Sequence, residues 1–392
     1  MKKIIVSILA IIATSSLFAQ NKISDVLGSI EQNNTTLKAL RETADAQKLA
    51  NRTGIFLSDP EIGFNYLWGN PSSAGNRQDI NVTQSFDFPT ISGLKSKVAN
   101  KQNELVEWQY KADRMNILLE AKQYCLDLIY YNALLQELSV RLGHAEIIAA
   151  GQKERLDRGD GNIMEYNNVQ LNLSTVKGEI TRITTERNAV ISQLVRLNGG
   201  SELTFKVSEY EQLQIPNNFV DWFVVAEQKN PVLSYVKQEI ELSRKQVSLS
   251  KSMNLPTFSA GFMSENVIGQ RYQGVSVGVS IPLWANKNRV KQAKSAVRAA
   301  ESRQTDTKQQ FYSQLEILYQ RTYGLKLAAD TYRTSLANAN NSSLLKKALD
   351  AGQISILDYI VEMGLYYNTV TQTLEAERDY QKAFAELSAV EL

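Results

Sequence analysis

Cysteine and histidine are almost absent: Cys125 and His144 are the only ones in 392 residues. One cysteine excludes an intrachain disulfide in any compartment. One histidine excludes a His-rich metal site, and a Cys/His nucleophile pair would need both singletons. An excess of one charge is missing too. Lys and Arg number 43 against 41 Asp and Glu, and removal of Lys2 and Lys3 makes them equal. A nucleic-acid binder needs a basic footprint, so that class is excluded. After the N-terminal segment, no stretch approaches the roughly 18 consecutive apolar residues of a membrane-crossing helix. No phosphate loop, paired metal motif or nucleophile signature occurs, so neither an enzyme activity nor a cofactor is expected.

Proline is scarce where it matters. It occurs at 60, 71, 89, 216, 231, 256 and 282, with none between Thr90 and Ile215 and none after Pro282. Proline breaks helix interiors, so such gaps permit very long helices. Lys101 to Arg158 and Lys287 to Tyr332 are rich in Ala, Leu, Gln, Glu, Lys and Arg, the strong helix formers. Leu118, Ala121, Cys125 and Leu128, then Leu134, Leu135, Leu138 and Leu142, recur at helical spacing with some coiled-coil character. A single helix over Ser92 to Leu156 would be roughly 100 Å long at about 1.5 Å per residue. It would need a partner surface along its whole length.

What is present is a duplication. Asn34 through Pro60 reads against Asn230 through Pro256, and Arg155 through Tyr166 reads against Ala348 through Tyr359. The small change in offset falls between Pro60 and Pro89, where the first copy has the longer loop. Ahead of both copies, Lys2-Lys3, an apolar run from Ile4 to Ala13 and Leu17-Phe18-Ala19 predict a secretory signal peptide over 1–19. No cysteine follows that run, so lipidation at a mature N-terminal cysteine is not expected. The expected organisation is a first repeat over 20–198, a crossing segment over 199–217 and a second repeat over 218–392. Each repeat reads as helix, β-hairpin, long helix, helix. The hairpins fall at 61–88 and 257–282, and Leu203 to Val207 in the crossing segment suggests a short strand.

The hairpins alternate with period two. Ile62, Phe64, Tyr66 and Trp68 oppose Glu61, Gly63 and Asn65, and Ile80, Val82, Phe86 and Phe88 oppose Asp79, Asn81, Thr83, Ser85 and Asp87. Phe258, Ala260 and Phe262 oppose Thr257, Ser259 and Gly261, and Val275 to Ile281 alternate with Ser276, Gly278 and Ser280. These predict four strands of about 9 to 11 residues, the length of a tilted membrane strand. A soluble sheet with one face on a core also alternates. Here the other face carries Asn, Thr, Ser and Gly, suited to a wet lumen. Phe64, Tyr66, Trp68, Phe86, Phe88, Phe258 and Trp284 resemble an interfacial aromatic girdle. A sheet in a bilayer must close, and four strands cannot. Two chains would give eight strands with a filled lumen. Three would give twelve with room for a channel, so a duct favours a homotrimer.

Repeated motifs resemble the TolC-type outer membrane factors over essentially the whole mature chain. Leu349-Asp-Ala-Gly-Gln-Ile-Ser-Ile-Leu-Asp-Tyr359 is similar to that family's helix-tip motif, with Leu156-Asp-Arg-Gly-Asp-Gly-Asn-Ile-Met-Glu-Tyr166 as its counterpart. Ser280-Ile-Pro-Leu-Trp284, followed by Arg289, resembles the strand-to-helix junction, and Phe86-Asp-Phe-Pro-Thr90 is its first-copy version. The resemblance implies a mainly α fold: a twelve-stranded trimeric barrel continuous with a long periplasmic helical tunnel. It implies a passive outer membrane channel for efflux or type I secretion. The implied partners are a periplasmic adaptor (membrane fusion protein), an inner membrane transporter of RND or ABC type, and outer membrane lipid.

The resemblance also assigns roles. Gly159, Asp160, Gly352 and Gln353 would form the periplasmic tip turns where an adaptor docks. Asp358 would point into the constriction and, repeated by threefold symmetry, form a carboxylate ring that selects cations. Glu165, Glu362 and Arg158 would join it in gating. The chain departs from the family at Ile354, where an arginine often pairs with the first-copy acid, and at Val361, where a second acid is usual. Arg155, Arg158 and Asp160 offer a different charge network. The alternative is a soluble periplasmic coiled-coil protein such as a pump adaptor, but the lipoyl-like and barrel domains of adaptors have no room here.

Overall fold

The structure, a computed structural model, describes residues 22–339 and 341–392. The expected signal peptide over 1–19 lies outside the described residues. Helices α1 (Ile23–Asn33) and α2 (Thr35–Ala50) lead to strands β1 (Glu61–Leu67) and β2 (Arg77–Phe86). Helices α3 (Pro89–Asp157) and α4 (Ile163–Leu197) complete the first copy. The second copy runs through α5 (Phe219–Lys229), α6 (Pro231–Ser252), β3 (Thr257–Val267), β4 (Gln270–Ser280), α7 (Arg289–Asn338), α8 (Ser342–Asp350) and α9 (Ile356–Leu387). None of the described helices is long and apolar enough to cross a membrane.

Each copy starts on two helices where one was expected, because an asparagine interrupts the run. Asn34 and Asn230 are both buried. The Asn230 side chain accepts from the Leu233 amide at 3.0 Å, capping α6 ahead of Pro231 at its first position. Asn34 donates its amide to the Leu197 carbonyl at 2.7 Å.

The Pro-free stretch after Pro89 forms a 69-residue helix, α3. Proline at the first helical position loses nothing, since that N–H has no intrahelical partner anyway. The predicted apolar face is buried: Leu118, Ala121, Cys125, Leu128, Leu134 and Leu138 all lie inside. Full burial of a leucine such as Leu138 contributes about 1.5–3 kcal/mol. The second copy differs: its long helix is split between α7 and α8. The break carries Asn338-Ala-Asn-Asn-Ser-Ser343, whose side chains compete for backbone hydrogen bonds. The first copy has Ala145-Glu-Ile-Ile-Ala-Ala150 at the matching place and continues as helix.

The helices and strands cluster into two compact units, and neither coincides with a repeat. One holds the described residues up to Asn34, Glu120–Leu213 and Ala328–Lys382. Its core joins Tyr130, Leu134 and Leu138 of α3 to Ile183 of α4, with Tyr210 and Leu374 packed alongside. The crossing segment as far as Leu213 belongs here and is tied down by side chains. Asn132 donates to the Val207 carbonyl at 2.8 Å, Gln381 to the Glu211 carbonyl at 3.0 Å, and the Tyr210 hydroxyl to the Leu126 carbonyl at 3.0 Å. The strand expected over Leu203 to Val207 does not form. Only Phe205 makes a bridge, because the Val207 carbonyl goes to a helix side chain.

The other unit holds Thr35–Leu119, Gln214–Leu327 and Ala383–Leu392. Its aromatic core sets Phe223 of α5 against Phe311, Tyr312 and Leu315 of α7 and Leu387 of α9. All four strands lie in this unit, in the antiparallel order β1-β2-β3-β4. The strands measure 7, 10, 11 and 11 residues, so β1 is shorter than expected. Trp68 lies beyond its end. Phe88 is also off the sheet, because its carbonyl accepts from the Ile91 amide at 2.8 Å and starts α3.

Candidate functional site

Two regions carry the expected functional residues: the sheet, and the turns that end α3 and α8. In the sheet, the register aligns rows of like character. Ile62, Val82, Phe262 and Val275 form one cross-strand row, and Phe86, Phe258 and Val279 another. The opposite face aligns Thr83, Gly261 and Ser276, with Ser85, Ser259 and Gly278 beside them. Successive strand residues point to opposite faces, so one face is apolar and the other small and polar. No layer covers the apolar face among the described residues. Ile62 is 76% exposed, Phe64 63%, Val275 84% and Val277 80%. Trp68, Phe86, Phe258 and Trp284 are exposed as well, while Tyr66 and Phe88 are half-buried. The Tyr66 hydroxyl accepts from Asn76 at 2.7 Å, and its ring meets Trp68 edge-on at 5.4 Å. Among the described residues β1 and β4 each keep one edge without a partner strand.

The turns are built alike in both copies. Gly159 has φ +82° and Gly352 φ +67°, a left-handed conformation that glycine adopts without strain. The Asp160 amide reaches back to the Arg155 carbonyl and the Gly159 amide to Leu156, both at 3.0 Å. In the second copy the Gln353 amide reaches Ala348 at 2.9 Å and the Gly352 amide reaches Leu349 at 3.0 Å. This pair of crossed bonds is the Schellman ending, which satisfies carbonyls the helix leaves open. Both turns therefore expose Gly159, Asp160, Gly352 and Gln353 to solvent on a rigid base. Ala149, Val169 and Ile356 pack in one cluster with Leu349 and Ile360, which holds α3, α4, α8 and α9 together beside the turns.

The two copies diverge in the next three residues. Gly161 passes so close to the end of α3 that a Cβ would lie 2.6 Å from the Leu156 amide nitrogen. Its counterpart is the half-buried Ile354. The following helices are capped differently. The Asn162 side chain accepts from the Met164 amide at 2.8 Å. Ser355 and Asp358 instead cap each other. The Asp358 amide donates to the Ser355 hydroxyl oxygen at 3.1 Å, and the Ser355 amide and hydroxyl donate to the Asp358 carboxylate at 3.2 and 2.7 Å. This is a capping box, and its donors hold the Asp358 carboxyl below the usual carboxylate range. A carboxyl lowered on folding contributes stability above its ordinary range, and that contribution is lost as pH falls through the lowered value. Protection of the Ser355 amide from hydrogen exchange should therefore drop on acidification, and Asp358→Asn should remove the pH dependence.

Asp358, Glu362 and Arg158 are exposed and Glu165 is half-exposed, but no ion pair joins any of the acids to Arg158. Arg158 lies 3.8 Å from Glu154, one turn back on its own helix. Arg155 and Asp160 make no ion pair among the described residues, so the tip charge network suggested by the sequence does not form within one chain. Sequence reasoning missed two features here. Arg141 is buried, bonds the Tyr367 carbonyl at 2.9 Å and the Thr371 hydroxyl at 3.0 Å, and stacks over the Tyr367 ring at 4.7 Å. His144 Nδ1 meets the Tyr367 hydroxyl at 2.7 Å. The steps of three and four through Leu134, Leu138, Arg141, His144 and Ile148 could have flagged the pair as core-facing. Cys125 is inert packing, and burial pushes its thiol up to about 12.

No family model matches the chain. Among curated proteins it is 21% identical over 325 residues to the alkaline protease secretion protein AprF of Pseudomonas aeruginosa. That alignment takes in 77% of this chain and 66% of the relative, so the chain spans just under two thirds of its length. Solved structures match over nearly the whole chain. The outer membrane channel CmeC of Campylobacter jejuni superposes with a TM-score of 0.76 at 14% identity, covering 94% of this chain and 85% of that one. The channel CusC gives 0.76 at 12%, covering 95% and 93%. The outer membrane protein VceC of Vibrio cholerae gives 0.73 at 11%, covering 94% and 95%. The chain therefore has the fold of these outer membrane channels, the architecture that its resemblance to the TolC-type outer membrane factors implies.

Proposed function

We propose that three copies of this chain form a passive exit duct through the outer membrane of a Gram-negative bacterium, serving efflux or type I secretion. The supporting observation is the sheet: one layer, two open edges and an uncovered apolar face. Four strands cannot close, and an open edge leaves unpaired backbone groups in hydrocarbon. Three copies supply twelve strands and a lumen lined by Asn, Thr, Ser and Gly. The apolar face then meets lipid, with Phe64, Tyr66, Trp68, Phe86, Phe88, Phe258 and Trp284 near its rims. Several solved structures of this fold carry outer membrane channel names, and AprF carries a secretion name, which supports the same reading.

In this reading the two sequence copies, 20–198 and 218–392, are quasi-equivalent halves joined by 199–217. Gly159, Asp160, Gly352 and Gln353 receive a periplasmic adaptor (membrane fusion protein), which couples the duct to an inner membrane transporter of RND or ABC type. Asp358, together with Glu165, Glu362 and Arg158, sets the charge of the constriction. One Asp358 oxygen serves the capping box, and the other is left for passing cations. The protein is non-catalytic in this reading.

Extraction of the outer membrane fraction should yield an SDS-resistant oligomer of three chains that dissociates on heating. A freely soluble periplasmic monomer would refute the duct. Single-channel recording of Asp358→Ala in planar bilayers tests the ring: block by a trivalent cation should weaken several-fold. Unchanged block would remove Asp358 from the constriction.

A further inference from the structure

Beside the tip turns lies an unassigned cavity of about 390 Å³, between the C-terminal part of α3 and the residues of α8 and α9. That volume lies in the range of about 300–1,000 Å³ typical of small-molecule sites. Its walls include Ile148, Leu349, Ile356 and Tyr359. Gln152 lines it too, is only 7% exposed, and its Oε1 has no hydrogen-bond partner among the described residues. A desolvated acceptor without a donor weakens a fold unless something that enters the cavity supplies one.

The charges at the rim are unequal. Lys346 is 3.0 Å from Asp350, and Arg158 is 3.8 Å from Glu154. Arg155 also lines the cavity and has no ion-pair partner among the described residues. His144, the remaining titratable group of the α3 wall, is engaged by the Tyr367 hydroxyl. Along α3 the order is therefore His144, Ile148, Gln152, Arg155. Steps of four, four and three keep them on one helical face. Read in that order, the wall offers an apolar stretch, then a hydrogen-bond acceptor, then a cation.

We propose that this cavity is a binding site for a small amphipathic carboxylate with a hydroxyl close to its acid group. The carboxylate pairs with Arg155, the hydroxyl donates to Gln152 Oε1, and the alkyl tail lies against Ile148, Leu349, Ile356 and Tyr359. Such a ligand bridges α3 to α8 and α9 and steadies the second-copy turn at Gly352. Binding requires neither a membrane nor conduction, so its failure would leave the duct reading intact.

The test is calorimetric titration of the full chain, held in amphipol, with 3-hydroxyoctanoate and with octanoate. The hydroxylated acid should bind about 2- to 10-fold more tightly, the range of one neutral hydrogen bond. Gln152→Met, close in volume, should make the two acids equal. Arg155→Gln should weaken both by roughly tenfold, as for loss of a charge-assisted contact. Leu349→Trp, which fills the cavity, should abolish binding of both and serves if Gln152→Met fails to fold. No measurable binding of 3-hydroxyoctanoate would overturn the proposal. So would a hydroxyl preference that survives in Gln152→Met, or binding that survives in Leu349→Trp.

Discussion

Val275→Arg should eliminate the SDS-resistant oligomer from the outer membrane, while Gly274→Arg, one residue earlier, should leave it assembled. Val275 lies at the middle of β4 in the row Ile62, Val82, Phe262 and Val275, on the apolar face. Gly274 pairs with Met263 on the other face, and a Cβ added there meets nothing within 4 Å. An arginine on the lipid face near the bilayer midplane costs about 2–4 kcal/mol per site, whereas lumen positions tolerate charge and alter selectivity. Threefold repetition multiplies the penalty at Val275. Neither substitution touches a helix core, so the helical circular dichroism signal should be the same for both. Heated and unheated gel mobility of the outer membrane fraction reads the result. Equal loss in both variants would mean that the two faces share one environment, and the membrane reading of the sheet would fail.

The sheet and the long helices were legible because their determinants are local and periodic. Alternation over Ile62 to Trp68 and over Val275 to Ile281 names the strands and their faces without any tertiary information. The Pro-free run after Pro89 likewise permits α3, and its buried stripe follows the three-and-four spacing of Leu118 to Leu138. Less legible were the places where one side chain decides against a pattern. Asn34 ends a helix that composition alone would continue, and Asn230 caps α6 ahead of Pro231. The asparagine-rich run after Asn338 breaks α7 from α8, although the duplication implied a copy of α3. Phe88 keeps the strand alternation yet starts a helix, because Pro89 favours helical entry more strongly than Phe88 favours extension. At the turns, sequence placed Gly159 and Gly352 correctly as chain reversals. It could not show that Asp358 spends one carboxylate oxygen on Ser355, because serine, two residues and an acid is a weak signal without the helix start fixed.

Gly161→Ile should destabilise the first-copy turn by about 1–3 kcal/mol, the usual cost of forcing atoms into filled space. The reverse exchange, Ile354→Gly, should cost about 1 kcal/mol or less through added chain freedom. The asymmetry follows from what each residue meets. A Cβ at position 161 would lie 2.6 Å from the Leu156 nitrogen, 2.8 Å from its Cα and 2.9 Å from the Arg155 carbonyl carbon. All three are backbone atoms in the last turn of α3, so no rotamer change relieves the clash. The same backbone carries the crossed bonds from Asp160 to Arg155 and from Gly159 to Leu156, and displacement would lengthen both. Ile354 already has a side chain in its half-buried place, so the second-copy chain takes a path with room for one. Hydrogen exchange of the Gly159 and Asp160 amides reports on the first turn, and exchange at Gly352 and Gln353 serves as the internal control. In Gly161→Ile the first pair should lose protection while the second keeps it. Uniform protection across both turns would mean that the first copy has slack the geometry does not show. The outcome also bears on function: if the turns receive an adaptor, a variant that loosens only the first copy should halve the set of intact docking turns without affecting the barrel.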